Sequence, residues 1–289
     1  MKVREVEAKS ILVASKLPDA DYVANPYTGC RFGCAYCYAS FMGRFVGEPI
    51  GSWGDYIYVK TNAVDIFASE VSRLSPDKRN RSILLSSVTD AYQAVEVRYR
   101  LTRGLLAVLD DAQYPGIVSV LTKAPLVTRD IDVLKRLPRA EVGMTVTTTN
   151  DEVSRWLEVR APLASKRLGA LRELNEAGIA TYAFVGPLLP HFRLRPELLD
   201  ELFSTLSDTG VRQVYVEHIN LRQYIRKRLD AFLEGQPDEV RRIYMDANTN
   251  DHRTALNEIV APLLVRHGLE LRLNEVIHHD TDSVIHGKG

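Results

Sequence analysis

The three cysteines of the chain lie in one short loop, as Cys30, Cys34 and Cys37 in the spacing C-x3-C-x2-C. Gly29 and Gly33 stand beside them, and glycine reaches backbone angles that let a loop wrap closely around a bound group. A disulfide would leave one thiol over, and a structural zinc site usually takes four ligands. Three thiolates suit a four-iron cluster with one iron left uncovered for chemistry. The plainer alternative is a set of buried or loosely metal-binding cysteines without catalysis.

The residues around the cysteines resemble a known signature. An aromatic residue, Tyr36, precedes the last cysteine, as in the radical S-adenosylmethionine (SAM) superfamily, and residues 25–39 (N-P-Y-x-G-C-x-x-G-C-x-Y-C-Y-A) resemble its spore photoproduct lyase-like branch. The resemblance implies a [4Fe–4S] cluster and SAM as cofactors. SAM would chelate the open iron, and an electron from the reduced cluster would cleave SAM to give a 5′-deoxyadenosyl radical. It also implies an external electron donor such as flavodoxin or ferredoxin.

Apolar runs alternate with amphipathic helices along most of the chain. One such helix is indicated by Val64, Phe67 and Val71, and the apolar runs are residues 56–60, 82–86, 117–121, 142–147, 181–185 and 214–217. This alternation indicates βαβ units with a parallel sheet covered by helices. We therefore predict an α/β fold, a partial (β/α)6 TIM-type barrel open on one side, which is also the shape that the resemblance implies. The barrel should occupy residues 1–234, and residues 235–289 should form a helical and strand extension packed on it.

Polar residues follow the predicted strands at the point where each strand ends. In parallel α/β folds the working residues collect at the carboxyl ends of the strands. We therefore expect five polar segments to meet at one edge of the sheet. These segments are residues 86–93, 122–123, 147–150, 186–187 and 218–220.

The resemblance assigns some of these residues to SAM. Lys123 resembles the strand-end lysine that holds the cofactor carboxylate in the lyase branch, and Thr147 or Thr148 resembles a hydroxyl residue that touches the same end of the cofactor. Tyr36 would lie along the adenine. Arg160, in the segment L-E-V-R-A-P, is similar to an E-P-R-A-P element of that branch and would lie near the cofactor carboxylate, although a surface salt bridge at a helix end is the alternative.

The second-strand segment departs from the family pattern. Ser86, Ser87 and Asp90 stand where the family often has Gly-Gly-Glu, which contacts the cofactor amino group. Spore photoproduct lyase is understood to return a hydrogen atom from an additional cysteine near this position, and this chain has no fourth cysteine. A serine O–H bond is too strong to replace it. Tyr92 is the nearest tyrosine and therefore the candidate donor, although a tyrosine held by one hydrogen bond in the core is the simpler interpretation.

Composition favours an ordinary globular protein. Lys and Arg together number 37, as do Asp and Glu, so no net charge attracts nucleic acid or an anionic membrane at long range. Residues 1–7 are charged and unlike a signal peptide, and no apolar stretch reaches transmembrane length. Three reduced cysteines then lead us to expect a cytoplasmic protein.

Two further groups of residues are ambiguous. A basic run that includes Arg222, Arg226 and Arg228 has the spacing of a solvated helix face. His278, His279 and His286 could bind a metal, but a loosely packed terminus is the simpler interpretation.

The leading hypothesis is a radical SAM enzyme that abstracts a hydrogen atom from a small molecule or peptide. The missing thiol and the neutral charge balance count against a DNA lesion as the substrate. The alternatives are spore photoproduct lyase-like DNA repair, and an iron–sulfur or zinc scaffold that binds nucleic acid or a partner without turnover. A second cluster within this chain is disfavoured because no cysteine remains to bind it.

Overall fold

The computed structural model describes residues 1–279. Its strands are β1 (Lys2–Val6), β2 (Leu12–Ala14), β3 (Tyr22–Ala24), β4 (Tyr27–Thr28), β5 (Tyr56–Lys60), β6 (Ile83–Leu85), β7 (Val118–Thr122), β8 (Ala140–Thr145), β9 (Ala180–Leu188), β10 (Gln213–His218) and β11 (Glu270–Leu271). Its α-helices are α1 (Ala63–Ser72), α2 (Pro76–Arg79), α3 (Glu96–Tyr99), α4 (Leu101–Asp111), α5 (Ile131–Leu134), α6 (Asp151–Glu158), α7 (Ala164–Glu176), α8 (Pro196–Asp208), α9 (Gln223–Leu233), α10 (Asp238–Met245) and α11 (Asn250–His267). Short 3-10 helices span Tyr38–Phe45, Ile50–Ser52, Pro125–Asp130, Pro190–Arg193 and Asp246–Asn248.

The main sheet has the order β11-β10-β9-β8-β7-β6-β3-β2. Its strands are parallel from β3 through β10, β11 joins in parallel outside β10, and β2 is the antiparallel edge. Within the described residues the sheet therefore keeps two edges and does not close. This arrangement confirms the predicted partial barrel, whose first strand, β3, immediately precedes the cysteine loop.

The apolar runs become the strands because both faces of these strands are covered. Val118, Val120, Val142 and Val185 are fully buried, as parallel strands lying between a lumen and a helix layer require. Helix α4 packs beside α1, and its Leu105 and Leu109 are fully buried.

The N-terminal segment adds a second, smaller sheet. Strand β5 lies between β1 and β4, parallel to the first and antiparallel to the second. Its residues Tyr56 to Val59 are buried, which explains the dense run of β-forming residues there. The strand at residues 56–60 was predictable from this run, whereas the strands within residues 1–24 carry no comparable pattern.

The C-terminal segment continues along the open edge of the main sheet. After β11, the Ile277 backbone N–H donates to the Val216 carbonyl (2.8 Å), and the His218 N–H donates to the Ile277 carbonyl (2.8 Å). Helix α11 packs on α8. The division into residues 1–234 and 235–289 stays a prediction, although this pairing fixes part of the second segment against β10. No helix among residues 1–279 combines the length and apolar character needed to cross a membrane.

The helix layer provides a test of the packing. Leu105→Ala should lower the free energy of unfolding by about 2–5 kcal/mol, because it removes a fully buried side chain and leaves a cavity. Val265→Ala is the control, since Val265 is 82% exposed in α11, and it should change stability by less than about 0.5 kcal/mol. Urea unfolding followed by circular dichroism measures both. Equal effects would show that Leu105 is not part of the core.

Candidate active site

A cavity of about 700 Å³ lies in the barrel lumen and is lined by residues from both the amino and the carboxyl ends of the strands. All three cysteines line it. The cavity wall also receives one or more residues from the ends of strands β6 to β10, namely Ser86, Ser87, Asp90, Lys123, Thr145, Gly186, Pro187, His218 and Asn220. Four of the five polar segments predicted to meet at this edge therefore contribute to the wall, whereas residues 147–150 do not.

The cysteine loop is tied to the strand-end loop that follows β6. The Asn25 side-chain oxygen accepts hydrogen bonds from the backbone N–H groups of Ser87 (3.0 Å) and Val88 (3.2 Å). The Gly29 carbonyl accepts a bond from the Thr89 hydroxyl (2.6 Å). Gly29 has a φ of +91°, and a Cβ atom there would lie 2.4 Å from the Tyr56 carbonyl oxygen. Only glycine fits at this point, which explains the N-P-Y-x-G-C sequence in physical terms.

The far side of the same loop is held by the end of α6. The Ala35 N–H donates to the Leu157 carbonyl (2.8 Å), and the Arg160 N–H donates to the Phe32 carbonyl (3.1 Å). Between them Val159 has a φ of +48°, a conformation that is strained for a β-branched residue. This turn places the chain where both backbone bonds to the cysteine loop can form.

A buried ion pair between Glu158 and Arg167 supports the cysteine loop through a hydrogen bond to Tyr36. The Glu158 carboxylate contacts the Arg167 guanidinium and accepts hydrogen bonds from the Tyr36 hydroxyl and from the Ser154 hydroxyl (2.9 Å). The Glu158 and Arg167 side chains are 1% and 0% exposed. Burial alone would raise the pKa of Glu158, but the charges of Arg167 and Lys123 hold this pKa below its usual value. The carboxylate therefore stays ionised and fixes the ring of Tyr36 in the cavity wall.

The thiols are in a setting that favours their neutral form when no metal is bound. Burial raises the pKa of Cys34 to about 12, although the nearby Lys123 charge opposes the shift. Burial likewise raises the pKa values of Cys30 and Cys37. Because thiolates are the metal-binding form, iron must displace these protons, and binding at this loop should release them.

Lys123 and Asp90 lie together at the ends of β7 and β6. The Asp90 carboxylate accepts bonds from the Lys123 backbone N–H (2.8 Å) and the Thr122 hydroxyl (2.6 Å), so it locks the two strand ends together. Burial raises the pKa of Asp90, and these hydrogen bonds oppose the shift. The Lys123 ammonium lies 5.7 Å from the centroid of the Tyr36 ring and lines the cavity. A cation therefore stands beside the thiols, where an anionic group of a ligand can reach it.

Ser86 provides a test of whether a polar cofactor fits this cavity. The residue is 3% exposed and lines the cavity, and its hydroxyl finds no hydrogen-bond partner among residues 1–279. It also has a φ of +71°. An unpaired buried hydroxyl costs free energy unless a bound group satisfies it. The serine, the Lys123 ammonium and the three thiols thus offer the donor set that a zwitterionic, metal-chelating cofactor requires.

The positions of two predicted threonines require a correction. Strand β8 ends at Thr145, and this threonine lines the cavity, whereas Thr147 and Thr148 are outside the lining. The Thr147 hydroxyl lies behind the wall, 3.4 Å from Glu158, and the Thr148 hydroxyl accepts a bond from the Asn150 N–H (3.1 Å). The strand ends earlier than the apolar run suggests, so the hydroxyl at the cavity is that of Thr145.

Arg160 and Tyr92 also lie away from the cavity. The Arg160 guanidinium donates to the Gly54 carbonyl (2.6 Å) and pairs with Asp55 (3.0 Å) on the outer surface, which matches the surface salt bridge named as the alternative. Tyr92 is 1% exposed, and its ring lies 5.9 Å from the Arg129 guanidinium carbon. Asp90 turns the chain so that Tyr92 enters the core, and its position does not support a role as hydrogen-atom donor. The tyrosines that line the cavity are Tyr36, Tyr38, Tyr182, Tyr215 and Tyr224.

The C-terminal segment also supplies part of the cavity wall. His279 bonds to Glu217 (2.5 Å), and Arg272 pairs with Glu141 (3.0 Å) while its guanidinium lies 4.5 Å from the centroid of the Tyr182 ring. His278 also lines the cavity, and His286 lies outside the described residues. Within residues 1–279, no three His, Cys, Asp or Glu side chains form a group arranged to hold a single metal ion.

Several residues at this site are not apparent from the sequence. The resemblance assigned a role to Arg160 and none to Glu158, Arg167 carries no recognisable motif, and the spacing of the basic run predicts a solvated position for Arg228. Arg228 instead donates to the carbonyls of Gly33 (3.2 Å) and Cys34 (3.1 Å). One signal is present for Glu158, because it directly precedes the V-R-A-P segment that resembles the family element.

Comparisons with solved structures identify the class of this fold. Spore photoproduct lyase in complex with dinucleoside spore photoproduct superposes with a TM-score of 0.62 at 17% sequence identity, covering 93% of this chain and 81% of that one. Streptococcus suis SuiB bound to the precursor peptide SuiA superposes with a TM-score of 0.51 at 13% identity, covering 89% of this chain and 48% of that one. Likeness at these identities concerns the fold.

Sequence comparison then gives the family. The family model described as the Radical SAM superfamily matches residues 24–202, and the chain belongs to this superfamily. An uncharacterised protein of Methanocaldococcus jannaschii is 35% identical over 190 residues, which is 66% of this chain and 69% of that protein. A radical SAM Nα-GlyT isomerase of Pseudomonas phage M6 is 25% identical over 204 residues, which is 68% of this chain and 39% of that protein. Membership assigns the protein a [4Fe–4S] cluster and SAM as cofactors.

The buried ion pair provides a second test. Glu158→Gln should lower the free energy of unfolding at pH 7 by about 3–5 kcal/mol, because Arg167 keeps its charge but loses its partner. Since the folded-state pKa of Glu158 lies below its usual value, the stabilisation is complete above about pH 4.5 and is lost as the pH falls through the folded-state value. The difference between wild type and variant should therefore shrink in acid.

Urea unfolding at pH 7 and at pH 4 measures this dependence. Glu173→Gln is the matched control, since Glu173 is exposed on α7. A stability difference for Glu158→Gln that stays constant or grows on acidification would contradict the pairing.

Proposed function

We propose that this protein is a radical SAM enzyme that abstracts a hydrogen atom from a small molecule or peptide held in the lumen. The observation that carries the proposal is the lumen cavity, which contains the three thiols, an unpaired buried hydroxyl and an ammonium group at one end. Further polar groups, among them Glu217, His279 and Arg272, line the same cavity. Reaction of the lyase or oxidoreductase type is compatible with this arrangement.

Each residue at the cysteine end has a distinct task in the proposal. Cys30, Cys34 and Cys37 bind three irons of the cluster. Lys123 pairs with the carboxylate of SAM, and the Ser86 hydroxyl bonds to a polar group of the cofactor. When bound, the reduced cluster and SAM together supply a 5′-deoxyadenosyl radical that removes a hydrogen atom from the substrate.

The remaining residues hold this arrangement and keep water out. Tyr36 and Phe32 are buried aromatic neighbours of the thiols in the cavity wall. Asp90 fixes the backbone of Lys123, and Glu158 fixes Tyr36, so both groups are oriented before any ligand arrives. Ser87 contributes through its backbone, since its N–H bonds to Asn25 and its carbonyl accepts a bond from Tyr38.

The charge of the lining favours a substrate other than nucleic acid. Among residues 1–279, more Asp and Glu than Lys and Arg side chains line the cavity, so the lining lacks the basic character that attracts a phosphodiester backbone. The acidic lining residues are Asp19, Asp90, Glu141, Glu217 and Glu275, and the basic ones are Lys123, Arg222 and Arg272. The peptide-bound SuiB structure shares the fold and is consistent with a peptide substrate.

A nucleic-acid lesion or modified nucleoside is the second candidate substrate. The solved complex of spore photoproduct lyase with dinucleoside spore photoproduct, which shares this fold, favours it. The two candidates separate in one assay, in which reconstituted protein, SAM and dithionite are incubated with dinucleoside spore photoproduct or with fractionated peptides and metabolites. We expect 5′-deoxyadenosine to rise above background only with the latter. Conversion of the dinucleoside would reverse the order of the candidates.

The cysteine loop can be tested directly. Cys34→Ala should lose the iron that anaerobic reconstitution gives to the wild type, and it should form no 5′-deoxyadenosine from SAM and dithionite. Iron analysis, the visible absorption of the cluster and chromatography of the product give independent measurements. A variant that keeps a full cluster would show that Cys34 is not a ligand. A loaded wild type that never cleaves SAM, with or without candidate substrates, would exclude the catalytic function and favour the scaffold.

Lys123 can be tested by binding. Lys123→Met should raise the Kd of the reconstituted protein for SAM by about ten-fold or more, because a charge-assisted interaction worth about 1.5–3 kcal/mol is removed. Equilibrium dialysis measures the Kd, and Lys166→Met, which changes an exposed lysine of α7, is the matched control. Equal Kd values for the two variants would show that Lys123 does not contact the cofactor.

A further inference from the structure

The lumen cavity extends away from the cysteine loop, toward the amino ends of the strands. We call its amino-end part the lumen floor, and define it by Asp19, Ser119, Glu141, Tyr182, Tyr215 and Arg272, which all line the cavity. None of these residues has a task at the cysteine end in the proposed function. They combine aromatic rings, carboxylates and a guanidinium in one space, which is a set of groups that can bind a ligand.

The pairing of the strands gives the depth of the lumen floor. Thr145 pairs with Phe184 of β9 and stands level with Lys123 at the end of β7. Tyr182 precedes Phe184 by two residues, which is about 6.6 Å along a strand. The floor therefore lies below the level of Lys123 by about the reach of a long amino-acid side chain.

The aromatic part of the floor is held rigidly. Tyr182 is 3% exposed, and its hydroxyl lies 3.1 Å from the Ser119 hydroxyl. Its ring meets the Tyr215 ring edge to face, with the centroids 5.3 Å apart. A Cβ atom at Gly143 would lie 2.1 Å from the Tyr182 ring, so this ring can take its position only because residue 143 is glycine. The two rings thus form a preorganised aromatic corner.

A guanidinium already occupies this corner. The Arg272 guanidinium carbon lies 4.5 Å from the centroid of the Tyr182 ring and 5.3 Å from that of Tyr215. The same group pairs with the Glu141 carboxylate (3.0 Å), and the two charged side chains are 17% and 19% exposed. Ring faces and a carboxylate beside a planar cation are the groups that select a guanidinium.

The charge of the floor favours a cation over an anion. Asp19 adds a second carboxyl group, and it forms no ion pair within the described part of the chain. Burial raises the pKa of Asp19, the Arg272 charge opposes this shift, and the Glu141 charge adds to it. Two carboxyl groups therefore share one guanidinium, and a cationic ligand would find an acidic group left for it.

We propose that the lumen floor binds the guanidinium group of an arginine side chain of a peptide substrate, and that Arg272 occupies this site until the substrate arrives. The inference rests on the proposed function, because it names the class of peptide that the cavity would take. An arginine with its guanidinium at the floor directs its side-chain carbons toward the level of Lys123, and hence toward SAM. Arg272 can leave by rotation about its side-chain bonds, without movement of the backbone.

Calorimetry on the reconstituted protein with SAM and an oxidised cluster tests the site without turnover. The probes are acetyl-glycyl-arginyl-glycine amide and the same peptide with citrulline, a neutral residue of nearly the same shape, in place of arginine. Arg272→Ala should bind the arginine peptide about ten-fold or more tightly than the wild type, because the competing guanidinium is gone. This variant should bind the citrulline peptide at least about ten-fold more weakly than the arginine peptide.

Two further variants keep this comparison decisive. Arg272→Gln also removes the competing charge but leaves a polar side chain in place, so it gives the same comparison if Arg272→Ala does not fold. Arg266→Ala is the matched control, since Arg266 is a 61% exposed arginine of α11 that pairs with Asp200 outside the cavity. It should bind both peptides as the wild type does.

Three outcomes would overturn the proposal. The first is equal affinity of the Arg272 variants for the arginine and citrulline peptides. The second is an affinity for the arginine peptide that neither Arg272→Ala nor Arg272→Gln increases. The third concerns Glu141→Gln added to Arg272→Ala, which should weaken binding of the arginine peptide about ten-fold or more, so that an unchanged affinity would contradict the site.

Failure of the guanidinium site and failure of the proposed function give different results. If the floor is not used, the two peptides bind alike in every variant, while the reduced protein still forms 5′-deoxyadenosine from SAM. If the proposed function is wrong, no 5′-deoxyadenosine forms in the wild type with any candidate substrate, whatever the calorimetry shows.

Discussion

The ion pair between Glu158 and Arg167 is the interaction on which the site depends. Burying a carboxylate and a guanidinium costs free energy of desolvation. Further hydrogen bonds offset this cost. The Glu158 carboxylate accepts bonds from Tyr36 and Ser154, and the Arg167 guanidinium donates to the carbonyls of Thr145 and Pro162. These partners come from the cysteine loop, β8, α6 and the segment that leads into α7. One buried pair therefore fixes the position of the cluster ligands relative to the sheet.

Much of the architecture follows from local sequence patterns. Parallel strands covered on both faces must be apolar throughout, and the runs at residues 117–121 and 181–185 carry this property in the amino-acid order itself. The cysteine loop is equally predictable from the sequence, because cluster binding requires specific residue types at fixed spacing. The polar strand ends, including Ser86 and Lys123, were also predictable, since the direction of parallel strands brings them to one edge.

Contacts between distant segments and the exact turns of the chain could not be predicted in this way. The partner of Glu158 is nine residues away on another helix, and the positive φ of Val159 directs Arg160 outward although the neighbouring residues resemble a cofactor-binding element. Thr145 is the last residue of β8 and lines the cavity, whereas Thr147 lies beyond the end of the strand and outside the lining. Tyr92 follows a carboxylate whose hydrogen bonds turn the loop into the core. Each outcome is decided by three-dimensional packing, which single-residue patterns do not encode.

The bracing of the cysteine loop has a consequence for the lifetime of the protein. In small zinc domains the metal supplies the folding energy, so loss of the metal unfolds the chain. Here protein groups brace the loop as well, through Asn25, Leu157, Arg228 and the close approach of Gly29 to Tyr56. If oxygen destroyed the iron–sulfur cluster, these contacts would keep the cysteine loop in the conformation that binds a cluster. Repair would then require only fresh iron and sulfide delivered to a folded chain, so one polypeptide could outlast many clusters.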